Sequence, residues 1–275
     1  MLADIEEFYR LDRLPHIWCP GCGNGIVLAC LVKAIKELKY DQDKTVVVSG
    51  IGCSSRASAY LDFNTLHTTH GRALAFATGI KLAKPELNIF VITGDGDSSA
   101  IGGNHLIHAA RRNIDLNVVI FNNNIYGMTG GQYSPLTPKV QKATTAPYGT
   151  IERPFDLAKL VEAAGATYVA RSTAYHTRLT TELIINGAKN KGFSVTEVIS
   201  QCPVSYGRRN RFNTPAAMLE WQREMAVPVI KARSMAPEEL EGKIITGELY
   251  RGHAPEYVSE YTKLTQRLKE EAEGV

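Results

Sequence analysis

The sequence has 275 residues, of which 44% are hydrophobic and 21% are charged, and its formal net charge is +3. A chain of this length can bury a sizeable core, and we expect one large α/β domain. The small net charge gives no indication of nucleic-acid binding, and no apolar run approaches the ~20 residues that span a bilayer. The charged N-terminus, MLADIEEFYR, lacks the apolar core of a signal peptide, so we expect a cytoplasmic protein.

Short apolar strands alternate with helices along most of the chain. Apolar residues at helical spacing predict helices over residues 24–40, 72–83 and 101–112. Short apolar runs predict strands over residues 45–48, 89–92, 116–121, 167–171 and 193–199, with a further helix between the last two. This alternation predicts an α/β fold in which a parallel sheet carries helices on both faces. Residues 214–275 are charged and predict a helical extension that packs or contacts another subunit.

Distinctive turns follow three of the predicted strands. They are Gly50-Ile51-Gly52-Cys53, Gly94-Asp95-Gly96 and Asn122-Asn123-Asn124, and Cys202 follows the last strand. The carboxyl ends of parallel strands meet at one edge of a sheet, where ligands bind in this class of fold. We therefore expect these turns to converge on one site.

Two of these turns suit a phosphate and a divalent cation. Glycines around Asp95 let backbone N–H groups approach a phosphate. Asp95, Asn123 and a backbone carbonyl near Ile125 could supply the few protein ligands that magnesium takes beside a diphosphate. The sequence contains no P-loop motif, and Ser99 breaks the dinucleotide fingerprint. Ordinary polar turns without a ligand remain the alternative.

Four of the five cysteines lie in turns rich in glycine or proline. Cys19 and Cys22 form a Cys-Pro-Gly-Cys pair, while Cys53 and Cys202 stand alone; Cys30 falls in a helical pattern and is predicted to be a buried hydrophobe. Four thiolates from three turns suit an iron–sulfur cluster or a tetrahedral metal. Structural zinc usually has a second Cys-x-x-Cys pair, which is absent here. Spacing alone leaves a cluster, structural zinc and unrelated buried thiols open.

Two histidines and a basic segment have simpler explanations. His105 and His108 lie three residues apart on a predicted helix without an obvious third metal ligand, so we expect them to cap or pack. Arg208, Arg209 and Arg211 form a basic cluster that could contact phosphates, but we expect a solvated loop.

The motifs together resemble a known family. The Cys-Pro-Gly-Cys pair, Gly-Ile-Gly-Cys-Ser, His-Gly-Arg-Ala, Gly-Asp-Gly and the run at 122–132 resemble the β subunit of 2-oxoacid:ferredoxin oxidoreductases, most of all the 2-oxoglutarate type, over residues 16–211. The resemblance implies the diphosphate-binding half of a thiamine-diphosphate fold. It also implies a domain boundary, with residues 1–213 binding thiamine diphosphate and a [4Fe–4S] cluster and residues 214–275 forming the extension.

The resemblance assigns ligands to particular residues. It implies that Cys19, Cys22, Cys53 and Cys202 hold the [4Fe–4S] cluster. It implies that Asp95, Asn123 and the carbonyl of Ile125 bind Mg²⁺. The residues that it implies around thiamine diphosphate are Gly52, Cys53, His70, Gly94, Asp95, Gly96, Asp97, Asn123, Ile125, Gly127, Met128 and Thr129.

The resemblance also implies a reaction and partners. The enzyme would oxidise 2-oxoglutarate with coenzyme A to succinyl-CoA and CO₂ and pass the electrons through the cluster to ferredoxin. A separate α subunit would supply the glutamate that activates the pyrimidine ring, in an αβ or (αβ)₂ assembly, so we expect the chain alone to be inactive.

Substrate choice depends on the surroundings of the cofactor. His70 is expected near the cofactor, Arg56 is expected to pair with the distal carboxylate of 2-oxoglutarate, and Met128 is expected to border the pocket. Pyruvate and other 2-oxoacids are alternative substrates. A non-oxidative thiamine-dependent decarboxylase or carboligase with structural zinc is an alternative function, and a non-catalytic electron-transfer subunit is a third.

Overall fold

The computed structural model describes residues 4–273 and contains one eight-stranded sheet. The strands are β1 (Thr45–Ser49), β2 (Asn64–His67), β3 (Asn88–Gly94), β4 (Asn117–Asn122), β5 (Tyr168–Thr173), β6 (Ser194–Ile199), β7 (Ala226–Pro228) and β8 (Ile244–Arg251). The helices are α1 (Asn24–Leu38), α2 (Ala73–Ala83), α3 (Asp95–Ser99), α4 (Gly103–Arg111), α5 (Leu157–Ala163), α6 (Thr177–Lys189), α7 (Pro215–Met225), α8 (Val229–Ala232), α9 (Pro237–Leu240) and α10 (Tyr257–Glu273).

The sheet is mostly parallel. Its strand order is β2-β1-β3-β4-β6-β5-β8-β7, and β1 to β6 all run in the same direction. β8 is antiparallel to its neighbour β5, and β7 pairs in parallel with β8. The predicted α/β fold with a parallel sheet is therefore confirmed.

Apolar side chains on both faces of the sheet hold the helices in place. Val46, Val48 and Val91 pack on one face against α2, α4 and α5. The alternating residues Val47 and Phe90 point to the other face and pack against α1 and α6. Burial of each such side chain contributes about 1.5–3 kcal/mol, so the alternation along each strand fixes the sheet between two layers of helices.

The structure adds elements that the sequence pattern did not predict. β2 is a partly exposed edge strand of mixed polarity, so it has no apolar run to mark it. A 3₁₀ helix at Ser54–Tyr60 follows the Cys53 turn, and the short helix α3 comes directly after β3. The predicted helix at residues 101–112 is observed as α4 at Gly103–Arg111.

The C-terminal segment contributes strands as well as helices. The predicted extension contains α7 and α10, but its strand β8 pairs with β5 and so lengthens the main sheet. The Arg251 guanidinium on β8 lies 4.9 Å from the ring centroid of Tyr168 on β5. The proposed domain boundary after residue 213 stays a prediction. Over residues 4–273, no helix is long and apolar enough to cross a membrane.

Candidate active site at the carboxyl edge of the sheet

A cleft opens where β1, β3 and β4 end. The turns after these strands meet at one edge, as expected from the parallel order. All of the predicted cofactor-binding residues line this cleft, and their individual roles stay predictions. The lining residues are Ile51, Gly52, Cys53, Ser54, His70, Gly94, Asp95, Gly96, Asp97, Phe121, Asn123, Ile125, Tyr126, Gly127, Met128 and Thr129.

Asp95 presents a buried carboxyl group to the cleft. It begins α3 directly after β3, and only 4% of its surface is exposed. The Ser134 hydroxyl donates a 2.5 Å hydrogen bond to Asp95 Oδ2. Burial raises the pKa of Asp95 to about 7, against the lowering effect of the Ser134 hydrogen bond. A buried carboxylate that is costly to ionise alone is well suited to bind a hard cation.

Asn123 and Ile125 reach the cleft from an unusual turn. Asn124 between them adopts a left-handed conformation with φ of +62°, which asparagine tolerates better than most residues. The Asn124 carbonyl accepts a 2.6 Å hydrogen bond from Thr137 Oγ1. The Asn123 side chain is 7% exposed, and its Oδ1 accepts a long hydrogen bond of 3.4 Å from the Ile125 N–H. The donor set of Asp95, Asn123 and a nearby carbonyl therefore fits magnesium.

Asp97 clamps the turn that carries His70. Its Oδ1 lies 2.6 Å from His70 Nδ1 and accepts a 2.7 Å hydrogen bond from the Gly71 N–H. The same oxygen accepts a longer bond of 3.4 Å from the Ile51 N–H. The Asp97 side chain is almost completely buried, whereas His70 is about one-third exposed. Asp97 therefore orients His70, whose other ring nitrogen is left for the cleft.

Two glycines leave no room for a side chain. A Cβ on Gly50 would lie 1.9 Å from Asp97 Oδ2, and a Cβ on Gly96 would lie 2.1 Å from the Tyr126 ring. The Tyr126 ring in turn lies edge-on to His70, with 6.3 Å between the ring centroids. The glycines are therefore needed for the close contacts that shape the cleft.

The four turn cysteines gather beside the same cleft. The Gly23 N–H donates a 3.0 Å hydrogen bond to the Gln201 carbonyl, which brings the Cys19–Cys22 turn next to Cys202. A Cβ on Gly127 would lie 3.4 Å from Cys53 Sγ and 3.6 Å from Cys202 Sγ. These contacts bring the turns of the four cysteines close together, and their role as shared ligands stays a prediction. Cys30 is buried within α1.

The chemistry of these thiols fits a shared cationic ligand. Burial raises the pKa of Cys22 to about 12 and that of Cys53 to about 11, and repulsion from the neighbouring cysteine sulfurs adds to both shifts. All five cysteines are free thiols. Iron or zinc ions would offset this penalty by stabilising the thiolates. Over residues 4–273, no three His, Cys, Asp or Glu side chains form a closely spaced metal site, and the [4Fe–4S] cluster stays a prediction.

Several other predicted residues lie outside the cleft. Arg56 is exposed on the 3₁₀ helix after Cys53. Arg208 and Arg209 are exposed on a second 3₁₀ helix at Gly207–Asn210, which follows the Cys202 turn. His108 is exposed on α4 and accepts a 3.4 Å hydrogen bond from Arg111 Nε on the same helix, so its expected packing role stays a prediction.

Some site residues were not identified from the sequence. Phe121 and Tyr126 lie close to the asparagine run at 122–124. This position in the sequence could have identified them as residues of the site. Ser134, which bonds Asp95, comes from a later loop and lies in no recognisable motif.

The chain matches the family model described as "Thiamine pyrophosphate enzyme, C-terminal TPP binding domain" over residues 50–198. It is 56% identical over 265 residues to the 2-oxoglutarate synthase subunit KorB of Methanocaldococcus jannaschii, covering 96% of this chain and 98% of that protein. It is 62% identical over 203 residues to the subunit of the same name from Archaeoglobus fulgidus, covering 74% of this chain and 76% of that protein.

A solved structure gives the same result. The chain is similar to a 2-oxoglutarate:ferredoxin oxidoreductase from Magnetococcus marinus, with a TM-score of 0.86 and 35% identity over 96% of this chain and 90% of that one. The fold and the site therefore belong to the thiamine-diphosphate enzymes. Within that class, the chain belongs to the family of 2-oxoglutarate:ferredoxin oxidoreductase β subunits, also named 2-oxoglutarate synthases. The resemblance noted in the sequence is confirmed.

Proposed function

We propose that this chain supplies the thiamine-diphosphate, magnesium and [4Fe–4S] sites for the oxidation of 2-oxoglutarate with coenzyme A to succinyl-CoA and CO₂. Ferredoxin is the proposed electron acceptor, and the cytoplasm is the proposed location. One observation carries the proposal: Cys53 lines the cofactor cleft and also belongs to the cysteine group. An electron would therefore travel only a short distance from the cofactor to the cluster.

The residues of the chain prepare the site for its cofactors. Asp95, Asn123 and the Ile125 carbonyl would hold Mg²⁺, and the glycines around Asp95 leave space for a diphosphate. When bound, thiamine diphosphate supplies the electron sink for decarboxylation and a [4Fe–4S] cluster supplies a one-electron relay. His70, fixed by Asp97, presents a ring nitrogen that can hold or release a proton beside the cofactor.

A second subunit completes the proposed enzyme. Within residues 4–273, the residues that line the cleft include two aspartates but no glutamate. The glutamate that activates the aminopyrimidine ring therefore has to come from elsewhere, and we assign it to an α subunit in an αβ or (αβ)₂ assembly. The relatives are themselves named as subunits, which supports a partner.

Two exposed basic groups are proposed to bind the substrates. Arg56 is exposed close to Cys53, where its guanidinium can pair with the distal carboxylate of 2-oxoglutarate. Arg208, Arg209 and Arg211 follow the Cys202 turn and are candidates for the phosphates of coenzyme A. The related Magnetococcus marinus enzyme was solved with 2-oxoglutarate, coenzyme A and succinyl-CoA bound, which supports this choice of substrates.

Reconstitution with the α subunit tests this proposal. The chain and its α subunit together should reduce ferredoxin only when 2-oxoglutarate and coenzyme A are both present, and the chain alone should be inactive. Arg56→Ile should raise KM about tenfold or more for 2-oxoglutarate, since a charge-assisted contact contributes roughly 1.5–3 kcal/mol. It should change KM for 2-oxobutyrate, which has no distal carboxylate, much less.

Arg112→Ile is the matched control, because Arg112 is also exposed but follows α4 at the opposite edge of the sheet. This variant should leave both KM values unchanged. Turnover by the chain alone would contradict the proposed division between subunits, and equal effects of Arg56→Ile on both substrates would contradict the role of Arg56.

A further inference from the structure

A chain of hydrogen-bonded polar side chains runs beneath the carboxyl edge of the sheet, from the buried Asn122 and Glu197 to the exposed Asp156. Asn122 Nδ2 at the end of β4 donates a 2.7 Å hydrogen bond to Glu197 Oε1 on β6. Glu197 Oε2 accepts a 2.7 Å bond from Arg171 Nε on β5. Arg171 Nη2 then donates a 2.8 Å bond to Asp156 Oδ1, just before α5. The neighbouring strands β4, β6 and β5 are therefore linked by side chains as well as by their backbones.

This network ends on the turn that carries the proposed magnesium ligands. The amide nitrogen of Asn122 bonds Glu197, and its amide oxygen, Oδ1, accepts a 3.0 Å hydrogen bond from the Asn124 N–H. Asn124 lies between Asn123 and Ile125 and has a left-handed backbone conformation. A non-glycine residue keeps such a conformation only when its surroundings impose it. Asn122 bonds the Asn124 N–H and the Thr137 hydroxyl bonds the Asn124 carbonyl, and together they hold this conformation. Glu197 fixes the orientation of the Asn122 amide.

Glu197 forms a mostly buried ion pair with Arg171. Its side chain is only 5% exposed, and that of Arg171 is 15% exposed. Burial disfavours the Arg171 guanidinium, but Glu197 and Asp156 outweigh that cost and raise its pKa. Buried ion pairs of this kind stabilise a fold little more than apolar residues would. A role in the site therefore explains Glu197 better than fold stability does.

We propose that Glu197 is a positioning residue that, through Asn122, holds Asn123 and Ile125 in the geometry that binds magnesium. The inference rests on the proposed function, because it concerns the same metal site. Loss of a residue that orients a metal ligand typically costs about 10- to 100-fold in metal affinity or activity.

Manganese binding tests the proposal directly. The full-length chain, purified with its α subunit and stripped of metal, is titrated with Mn²⁺ in the presence of thiamine diphosphate, and free Mn²⁺ is followed by EPR. Glu197→Gln should raise the dissociation constant of Mn²⁺ about 10- to 100-fold. Because excess metal compensates for a misplaced ligand, turnover should recover at saturating Mg²⁺.

Asp115→Asn is the matched control. Asp115 is also a mostly buried carboxylate, paired with Lys81 at 2.9 Å and with Lys191 at 3.0 Å. It precedes β4 and so lies at the opposite end of the strand from Asn122. This variant should lose stability without any change in Mn²⁺ affinity.

Asn122→Ala is a second test variant if Glu197→Gln fails to fold. It removes the hydrogen bond between Asn122 and Glu197 and leaves the Glu197–Arg171 ion pair intact. It should weaken Mn²⁺ binding at least as much, because it also removes the bond from the Asn124 N–H to Asn122 Oδ1, and the double variant should be no worse than Asn122→Ala alone. Unchanged Mn²⁺ affinity in folded Glu197→Gln or in Asn122→Ala, or a loss in Asp115→Asn as large as in Glu197→Gln, would overturn the positioning role. Failure of the unaltered enzyme to bind Mn²⁺ with thiamine diphosphate would instead overturn the proposed metal site, and the positioning role with it.

Discussion

The environment of Asp95 favours a bound cation. Its carboxyl group is buried, its one side-chain hydrogen bond comes from Ser134, and its pKa is raised from 3.8 to about 7. An aspartate in this position is unfavourable for the fold above its ordinary pKa, because the folded chain resists its ionisation. A bound cation reverses that preference.

The pH dependence of stability follows from this shift. Between pH 3.8 and about 7, the folded state keeps a proton that the unfolded state has lost. The free energy of unfolding of the metal-free chain should therefore fall as pH rises through this window. Asp95→Asn should remove this fall, and urea unfolding at several pH values in EDTA measures it. Parallel pH profiles for the two proteins would contradict the buried, protonated state of Asp95.

Much of the site could be predicted from the sequence at the residue scale. Asp95, Asn123, Cys53 and Cys202 lie in short turns after apolar strands, so local motifs were enough to place them at one edge. Ser134 and Glu197 could not be found in this way. Ser134 reaches Asp95 from a loop distant in the chain, and Glu197 lies inside a strand where only the pairing of β6 with β4 brings it to Asn122.

At the scale of elements, the junction between α3 and α4 fixes the position of the His70 turn. A Cβ on Gly102 would lie 2.2 Å from the Asp97 carbonyl oxygen and 3.2 Å from Gly71. The backbone of Gly102 itself is helical, with φ of −90°, so close packing and not backbone conformation requires glycine there. A Cβ on the next residue, Gly103, would meet no atom within 4 Å.

This contrast predicts opposite effects of two adjacent substitutions. Gly102→Ala should destabilise the protein by about 1–3 kcal/mol, because the backbone at Asp97 has to move, and it should weaken thiamine-diphosphate binding. Gly103→Ala should be neutral or more stable by up to about 1 kcal/mol, since alanine is the better helix former. Urea unfolding and cofactor titration measure both effects. Equal stability of the two variants would contradict the tight junction.

The elements themselves were predictable where they are apolar and periodic. α1, β1, β3 and β4 have such patterns and were found. β2 and β8 were not, because β2 is a partly exposed edge and β8 carries Gly247 at φ of +117° within a charged segment. Their pairing depends on the rest of the sheet rather than on a local signal.

At the scale of the whole molecule, the proposed sites of the cofactor and of the electron relay share one edge of the sheet. The cleft is formed by turns after β1, β3 and β4, while the cysteines come from the turns before α1, after β1 and after β6. Cys53 belongs to both groups, so the central claim is that this chain couples thiamine chemistry to electron transfer. A zinc ion on the same cysteines would leave the thiamine site intact and remove the electron path.

Metal analysis of the full-length chain, purified without oxygen, tests that claim most directly. Iron, acid-labile sulfide and zinc are determined together, with an EPR spectrum after reduction by dithionite. We expect about four irons and four sulfides per chain, with the EPR signal of a reduced cluster. Stoichiometric zinc without acid-labile sulfide would contradict it and would favour a non-oxidative thiamine enzyme.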